Sequence, residues 1–552
     1  MKRKALAILL VAAMTTGLAA GCAGGQDTAE PEAQQEAADS DAQDEADGAD
    51  EGAKEIPDIG LDTENLDMSS PARVIVTTDG ECDDQNSMRH MLLYANDLDI
   101  AGLVYSASQF HWQGDGEHTI SEVIDDYMCQ SEVVEVETAL SFRPQEIGWI
   151  EDVIQNEYAV DYENLVKNDP DYPAPDELLS LVKMGNVQFE GDVREATEGS
   201  DWIMQCILDD DPRPLYIESW GGFNTVARAL LSINEEYGET DQWQEIYDKV
   251  CGKVVIQGNG QDKTYENYII ELYPDLIIYG VSNLGYGYNA SQNASEQARY
   301  MFQADWLSEN IKFDHGEMMS DYHLINDGAY YEGEPDLYQF GQQTTIDWSG
   351  KGNGKEYNTY DWIGEGDSGH WISLVPVGLR GLENPNYGTW AGRILVNGQA
   401  MSGSGDYKEL DYVTGQSSEF SGKRWLEALQ RDWAARADWT VNGYDSANHA
   451  PEVTAEAYDI TAAPGEVVSL NGSASDPDGD SLDIRWWVYE DASEYQGELS
   501  GLRVWYEDQA ATKFTVPSDA QPGDYFNIIL EVSDNADASM TRYAQVIVTV
   551  SE

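Results

Sequence analysis

The stretch that most constrains this chain is Thr77-Thr78-Asp79-Gly80-Glu81-Cys82-Asp83-Asp84, set between a short apolar run, Val74-Ile75-Val76, and a helical pattern. A strand that enters a helix through an acidic turn puts three aspartates at its C-terminal end, where open α/β sheets hold their ligands. Acids this close repel one another unless a cation sits between them. A cluster of hard oxygens suits Ca²⁺, which takes about 6–8 oxygen ligands. The alternative is a solvated acidic turn in a very acidic protein.

The surroundings repeat that strand–helix alternation. Gln85–Ala95 carries Met88, Met91, Leu92 and Ala95 at helical spacing, and Ile100–Tyr105 reads as a second strand. Leu215–Ile217 is a third strand, followed by a helix through Val226, Ala227 and Leu230. Val254–Ile256 and Leu276–Tyr279 are further strands, with a helical stretch near Tyr265–Leu272 between them, and Arg424–Trp439 is a strong helix. Alternation of this kind predicts an open, mostly parallel sheet flanked by helices over residues 71–445. From 446 to 552 the texture changes to short alternating strands: Val467–Leu470, Ile484–Val488, Lys513–Val516, Phe526–Val532 and Gln545–Val550. That pattern predicts an all-β, immunoglobulin-like sandwich of about 100 residues, a candidate carbohydrate-binding module. Its Asp476-Pro477-Asp478-Gly479-Asp480 is either a second Ca²⁺ loop or an ordinary acidic turn. Trp486 and Trp487 alternate along one strand, so one points in and the other is expected to face outward, toward polysaccharide.

The N-terminus has its own logic. Met1-Lys2-Arg3-Lys4 precedes an apolar run from Ala5 to Ala20, the shape of a secretory signal over residues 1–22. It closes on Leu18-Ala19-Ala20-Gly21-Cys22, which looks like a lipoprotein cleavage box and predicts a lipid on Cys22 and a place on the extracellular face of a bacterial cell membrane. Residues 23–70 read as an acidic tether, with sixteen acids and one base, Lys54, from Asp27 to Asp67. Such a segment cannot bury enough apolar surface to offset its ordering entropy.

Tether and signal do not account for a formal net charge of −73, so the folded part is itself strongly acidic. This argues against nucleic acid, whose phosphates need Lys and Arg, and allows a neutral substrate or cations. Of five cysteines, Cys22 belongs to the cleavage box; Cys82, Cys129, Cys206 and Cys251 show no metal spacing and no assignable pairing.

The acidic turn has the register of the nucleoside hydrolase signature D-x-D-P-G-x-D-D, with Asp79, Asp83 and Asp84 on its last three acids, Thr77 on its first, and Gly80-Glu81 in place of Pro-Gly. The fuller set Thr77 to Asp84, Leu93-Tyr94-Ala95-Asn96 and Asp99-Ile100-Ala101-Gly102-Leu103 resembles the nucleoside-hydrolase-like cellulose-binding proteins. Glu365-Gly366-Asp367-Ser368, Gly388-Thr389-Trp390-Ala391-Gly392-Arg393 and Trp433-Ala434-Ala435-Arg436-Ala437-Asp438-Trp439 extend the resemblance over nearly all of residues 72–552. It implies the same α/β domain with a C-terminal sandwich.

The resemblance also implies roles. Asp79, Asp84 and Asp367 would hold Ca²⁺, together with the Trp220 carbonyl that precedes Gly221-Gly222-Phe223-Asn224-Thr225-Val226-Ala227. Asp83 would accept hydrogen bonds from sugar hydroxyls, and Asp79 would be the base that takes a proton from water. The expected reaction is hydrolysis of an N-glycosyl, riboside-type bond through an oxocarbenium-like state. The alternative is a non-catalytic, cellulose-type carbohydrate-binding protein using the same site. Many nucleoside hydrolases place a His directly before the late Asp; here that residue is Gly366. His370 or His111 would have to replace it as the acid that assists the leaving group. His111 and Trp112 after the second strand, and Asn259 and Asp262 after the fourth, are candidate substrate contacts; Glu266-Asn267 matches a sugar-binding pair only loosely. With 16 Trp and 32 Tyr, sugar stacking has many candidates, among them Trp112, Trp371 and Trp390, although for any single Trp core packing is the favoured reading.

Overall fold

The computed structural model describes residues 70–124, 138–258, 264–279, 286–287, 290–327, 358–362, 364–393 and 421–551, with short strand pieces at Thr345–Ile346, Lys355–Glu356, Glu409–Asp411 and Gln416–Ser418. Cys22, Cys129, Asn259 and Asp262 lie outside them, as do the signal and tether stretches up to residue 69.

Six strands form the central sheet: β1 (Ala72–Thr78), β2 (Leu98–Tyr105), β3 (Val182–Met184), β4 (Leu215–Ser219), β5 (Val254–Gly258) and β6 (Ile277–Tyr279). Their order is β3-β2-β1-β4-β5-β6, and every pairing is parallel. The order reverses between β1 and β4, so the C-terminal ends of these two strands bound the crevice where doubly wound sheets place ligands. The short β3 is an element the sequence pattern did not announce.

Both faces are covered, which is why the central strands read as continuous apolar runs. Val74 and Val76 pack with one core, under α1 (Cys82–Leu92) and α6 (Leu426–Trp439), while Ile75, Ile217 and Ile256 pack with the other, under α2 (Glu198–Leu208) and α3 (Asn224–Tyr237). Two further helices complete the numbering used below: α4 (Trp243–Lys253) and α5 (Ser368–Ile372). Fully burying each such aliphatic side chain contributes about 1.5–3 kcal/mol. Every residue of α1 is buried, polar ones included. Arg89 pairs with Glu157 at 2.6 Å, Asn86 exchanges hydrogen bonds with the His323 backbone, and His90 reaches Glu365.

Eight strands form the C-terminal sandwich: β7 (Glu452–Ala455), β8 (Asp459–Ala462), β9 (Val467–Ser475), β10 (Leu482–Val488), β11 (Val504–Trp505), β12 (Ala511–Thr515), β13 (Tyr525–Asp534) and β14 (Thr541–Val550). They make two sheets, β7-β9-β12-β11 and β8-β14-β13-β10, antiparallel except where β8 runs parallel to β14. Trp486 fills the space between the sheets.

The sandwich shares a core with the α/β part. Ile529, Met540 and Tyr543 belong to the same buried cluster as Val74 and Trp433. Asp432, fully buried on α6, accepts from Arg436 Nε (3.0 Å), from the Tyr94 hydroxyl (3.0 Å) and from Arg542 of β14 (2.7 Å). Tyr543 N–H donates to Val377 O at 2.8 Å, and Gly378 is needed there because a Cβ would sit 1.8 Å from Tyr543 O. Trp487 is the exception to the expected outward tryptophan. Its ring packs against Trp425 and Tyr489, and Arg424 lies over it, so it faces the α/β part and not polysaccharide. The strand alternation was read correctly; what covers the second face is a contact between segments far apart in sequence.

Removing the carboxylate that joins the two parts leaves the buried Arg436 and the half-buried Arg542 guanidinium groups each short of a partner. Asp432→Ala is therefore expected to cost about 3–5 kcal/mol. Scanning calorimetry should show one lowered transition for the whole folded unit; two transitions with only one displaced would contradict the shared core.

Candidate functional site

The loop from β1 to α1 sets the first acids. Gly80 takes a left-handed φ of +76°, and a Cβ there would lie 2.5 Å from Gln145 Oε1. The Thr78 hydroxyl donates to Asp84 Oδ1 at 2.5 Å and accepts from Gly80 N–H at 3.1 Å. Asp79 Oδ1 accepts from Glu81 N–H, and Gln85 Nε2 donates to Gly80 O. The turn is thus locked by its own side chains before any ligand is considered.

β4 supplies the opposite wall. Trp220 N–H donates to Thr77 O at 2.9 Å, which prolongs the β1–β4 ladder past the end of β4. The next residue, Gly221, lies so close to Asp79 that a Cβ would meet its Cγ at 2.7 Å and its Oδ2 at 2.9 Å. The backbone beside Trp220 therefore flanks the Asp79 carboxylate, and only glycine fits.

Asp367 arrives from much later in the chain, at the N-terminus of the short helix α5. Carboxylate oxygens of Asp83, Asp84 and Asp367 lie within 4.8 Å of one another, and all three residues are buried. Asp79, equally buried, adds its charge to this group. Burial first, then Asp79, Asp367 and Asp83, push the Asp84 carboxyl well above the carboxylate range, against the pull of the Thr78 hydroxyl. Burial, Asp83 and Asp79 do the same to Asp367. Such a donor set fits a hard divalent cation, which lets neighbouring acids stay ionised together. Among the described residues this is the one group of acids, histidines or cysteines with that spacing. Asp476, Asp478 and Asp480 are not such a group: Asp476 Oδ1 caps the N–H groups of Asp478 and Asp480, and Asp478 holds His449.

Glu365 is the residue that positions the late aspartate, and it was quoted from the sequence without a role. Fully buried, it accepts from the Tyr322 hydroxyl, from Ser368 Oγ and from His90 Nδ1 (3.0 Å). His90 lies on α1, the helix that begins at the acidic turn, and stacks on Trp433 with ring centroids 4.3 Å apart. One buried network therefore ties the early acids to the late one. Glu218 was missed altogether. It sits on β4, its Oε2 accepts from Trp220 Nε1 at 2.9 Å, and burial pushes its carboxyl up to about 8, partly offset by that hydrogen bond. A lone Glu within a strand carries no sequence signal of this kind.

The histidines and tryptophans are placed as follows. His370 Nδ1 donates to Asp367 O at 2.6 Å, which leaves Nε2 as the ring's acceptor nitrogen, buried and without a hydrogen-bond partner among the described residues. Burial lowers its pKa to about 4, against the opposing backbone bond, so it is neutral near pH 7 and has no proton on Nε2 to give. His111 is buried, with Nδ1 on Arg143 O at 2.6 Å. Trp112 packs against Phe189 in a small cluster with Phe142 and Ile120, and Trp371 and Trp390 are buried in the large core. All three rings are core residues, the favoured reading of the two given above. Asn267 is exposed on the helical turn after β5.

A family model described as cellulose-binding Sde182, nucleoside hydrolase-like domain, matches residues 73–394. A second, for the C-terminal domain of the cellulose-binding protein Sde0182, matches residues 467–550. Among solved structures, a nucleoside hydrolase-related hypothetical protein from Saccharophagus degradans, described as associated with carbohydrate metabolism, is 25% identical with a TM-score of 0.60, covering 87% of this chain and 100% of its own. The effector protein XOO4466 aligns over 68% of this chain and 95% of its own at 10% identity and a TM-score of 0.27, too low to bear on fold or function. No curated protein matches.

A histidine kept neutral in the fold must take up a proton as the chain unfolds in acid. The sign follows: the unfolded state, with a pKa near 6.5, binds more protons between pH 6.5 and 4, so stability falls as pH drops through that window. His370→Asn keeps a donor for Asp367 O and removes the titration. It should reduce the loss of stability between pH 7 and pH 4.5 by roughly 1–3 kcal/mol, read from denaturant unfolding at the two pH values.

Proposed function

The chain belongs to the Sde182 family of cellulose-binding proteins with a nucleoside hydrolase-like domain, and from that premise we propose that its acid cluster holds Ca²⁺ and hydrolyses an N-glycosyl bond of a sugar-containing ligand. The observation that carries the reading is the meeting of Asp83, Asp84 and Asp367 at the switch point of the sheet, with Asp79 beside them. Asp79, Asp84, Asp367 and the Trp220 carbonyl are the ligands this reading assigns, and the short mutual distances add Asp83 as a candidate. When bound, Ca²⁺ supplies a concentrated positive charge that polarises a water and keeps several carboxylates ionised side by side. Asp79 takes the proton from the attacking water at its carboxylate. Asp83 accepts hydrogen bonds from the sugar hydroxyls, orienting the ring and supporting the positive charge that grows on it as the bond to the leaving group lengthens.

A second reading has its own observation. Gly366 stands where many nucleoside hydrolases carry a histidine, and His370, three residues on, is neutral with its proton committed to Asp367 O. An unassisted leaving group favours a carbohydrate-binding protein that keeps the site and does not turn over. Under both readings the partner class is a sugar or polysaccharide. We propose also that the protein is a lipoprotein, anchored through Cys22 on the extracellular face of the bacterial cell membrane, on the strength of the cleavage box Leu18-Ala19-Ala20-Gly21-Cys22. Among the described residues no helix is long and apolar enough to cross a membrane.

Two measurements separate these statements. Calorimetric Ca²⁺ titration should show one site that Asp84→Ala and Asp367→Ala abolish, each with a lower melting temperature in calcium; an unchanged titration in either variant contradicts the metal assignment. Hydrolysis of a panel of nucleosides and nitrophenyl glycosides, with calcium and with a chelator, should show calcium-dependent release. No turnover on any substrate, together with retention on insoluble cellulose, leaves the binding reading.

A further inference from the structure

One of the sandwich's two sheets is used up by the domain contact. Arg542, Tyr543, Ile529 and Trp487 of β8-β14-β13-β10 all meet the α/β part. The other sheet, β7-β9-β12-β11, buries one face in the sandwich core and turns the alternate residues outward. Those include Ser469, Asn471 and Ser473 of β9, Thr454 of β7, Lys513 of β12 and Trp505 of β11. Trp505 stands opposite Lys513, which stands opposite Ser469, so one row runs across three strands.

The outward positions of these strands are nearly neutral in a very acidic chain, with acids at their margins: Glu456 accepts from Asn471, and Glu507 and Asp508 follow Tyr506. The chain carries 103 acids against 30 bases. On the outward positions of these four strands the charged residues are Lys513 and, at the far end, Glu452, which cancel. What remains is hydroxyl and amide, the small apolar side chains of Val467 and Ala511, and one indole. Trp505, 49% exposed, is the one exposed tryptophan among the described residues, and Tyr506 beside it, at 65%, is the most exposed large apolar side chain. Tyr506 also has a left-handed φ of +54°, which bulky residues adopt at a cost. Its turn is pinned by Gln509 N–H on Tyr506 O and by Trp486 N–H on Glu507 O. The aromatic pair is therefore held at the sheet's rim by the backbone of the buried tryptophan.

We propose that this outward face, with Trp505 and Tyr506 at its rim, is where the protein docks on an uncharged polysaccharide of the β-glucan type. The inference rests on the polysaccharide-binding reading and assigns its surface. Pyranose rings present apolar C–H faces that stack on indole and phenol rings, while Ser, Thr, Asn and Lys match their hydroxyls. A neutral polymer meets no repulsion from a strongly acidic protein, whereas a polyuronate does. Along β9 the face runs about 27 Å and across four strands about 14 Å, enough for several sugar units.

The test uses the whole folded chain with microcrystalline cellulose, a soluble β-glucan and a polyuronate as probes. The parent should be retained on cellulose and shifted by the soluble glucan. Trp505→Ala with Tyr506→Ala should weaken both about tenfold with an unchanged melting temperature, and Trp505→Phe with Tyr506→Phe should restore most of the affinity. Trp505→Ser alone serves if the double variant does not fold. Retention equal to the parent's in the alanine variant overturns this surface while leaving the binding reading intact. Failure of the parent to bind any of the polymers overturns both. Tighter binding to the polyuronate than to the glucan overturns the neutral partner, and concentration-dependent self-association lost in the variant reassigns the face to a second copy of the chain.

Discussion

Repulsion among buried carboxylates is the condition around which this molecule is arranged. Asp79, Asp83, Asp84 and Asp367 occupy one dry corner of the sheet, where each charge raises the cost of the others. Water cannot screen them there. The surrounding residues hold the acids in place without neutralising them: Thr78 on Asp84, the Gly221 backbone against Asp79, and Glu365 anchoring the segment that delivers Asp367. A fold would not retain such a corner for stability alone, since apolar side chains of similar size would cost less.

The same economy explains why α1 is buried on every side. The helix must present Asp83 and Asp84 from its first turn and still be gripped from below. Its polar residues are therefore each given a distant partner: Arg89 with Glu157, Asn86 with the His323 backbone, His90 with Glu365. These bonds span from 68 to 275 residues of sequence and make the acid cluster a property of the entire domain.

The sandwich enters as part of that rigidity. Through Asp432, Trp425 and Tyr543 it shares the core on which α6 lies, and α6 carries the Trp433 that stacks on His90. Using one sheet for this contact leaves the outer face of the other sheet turned away from the α/β part, and the charges on its strands, Glu452 and Lys513, cancel. The face proposed for polysaccharide and the acid cluster are thus joined through one shared core.

Local pattern made much of this legible. Val74-Ile75-Val76 before an acidic turn announced a central strand with its ligand-bearing end, and the alternation after residue 446 announced strands. A period of two or of 3.6 is written in neighbouring residues, so it survives without knowledge of the fold. Element ends, the short β3, and β7, β8 and β11 carried too few residues to show a period. Trp112 and Trp487 illustrate the wider limit. The sequence determined that one is large and apolar and that the other alternates with Trp486; only the tertiary structure decided that Phe189 covers the first and Trp425 the second. Glu218 and Glu365 acquire their roles the same way, because burial and partners are set by segments that meet in space, and composition along the chain does not encode which segments those are.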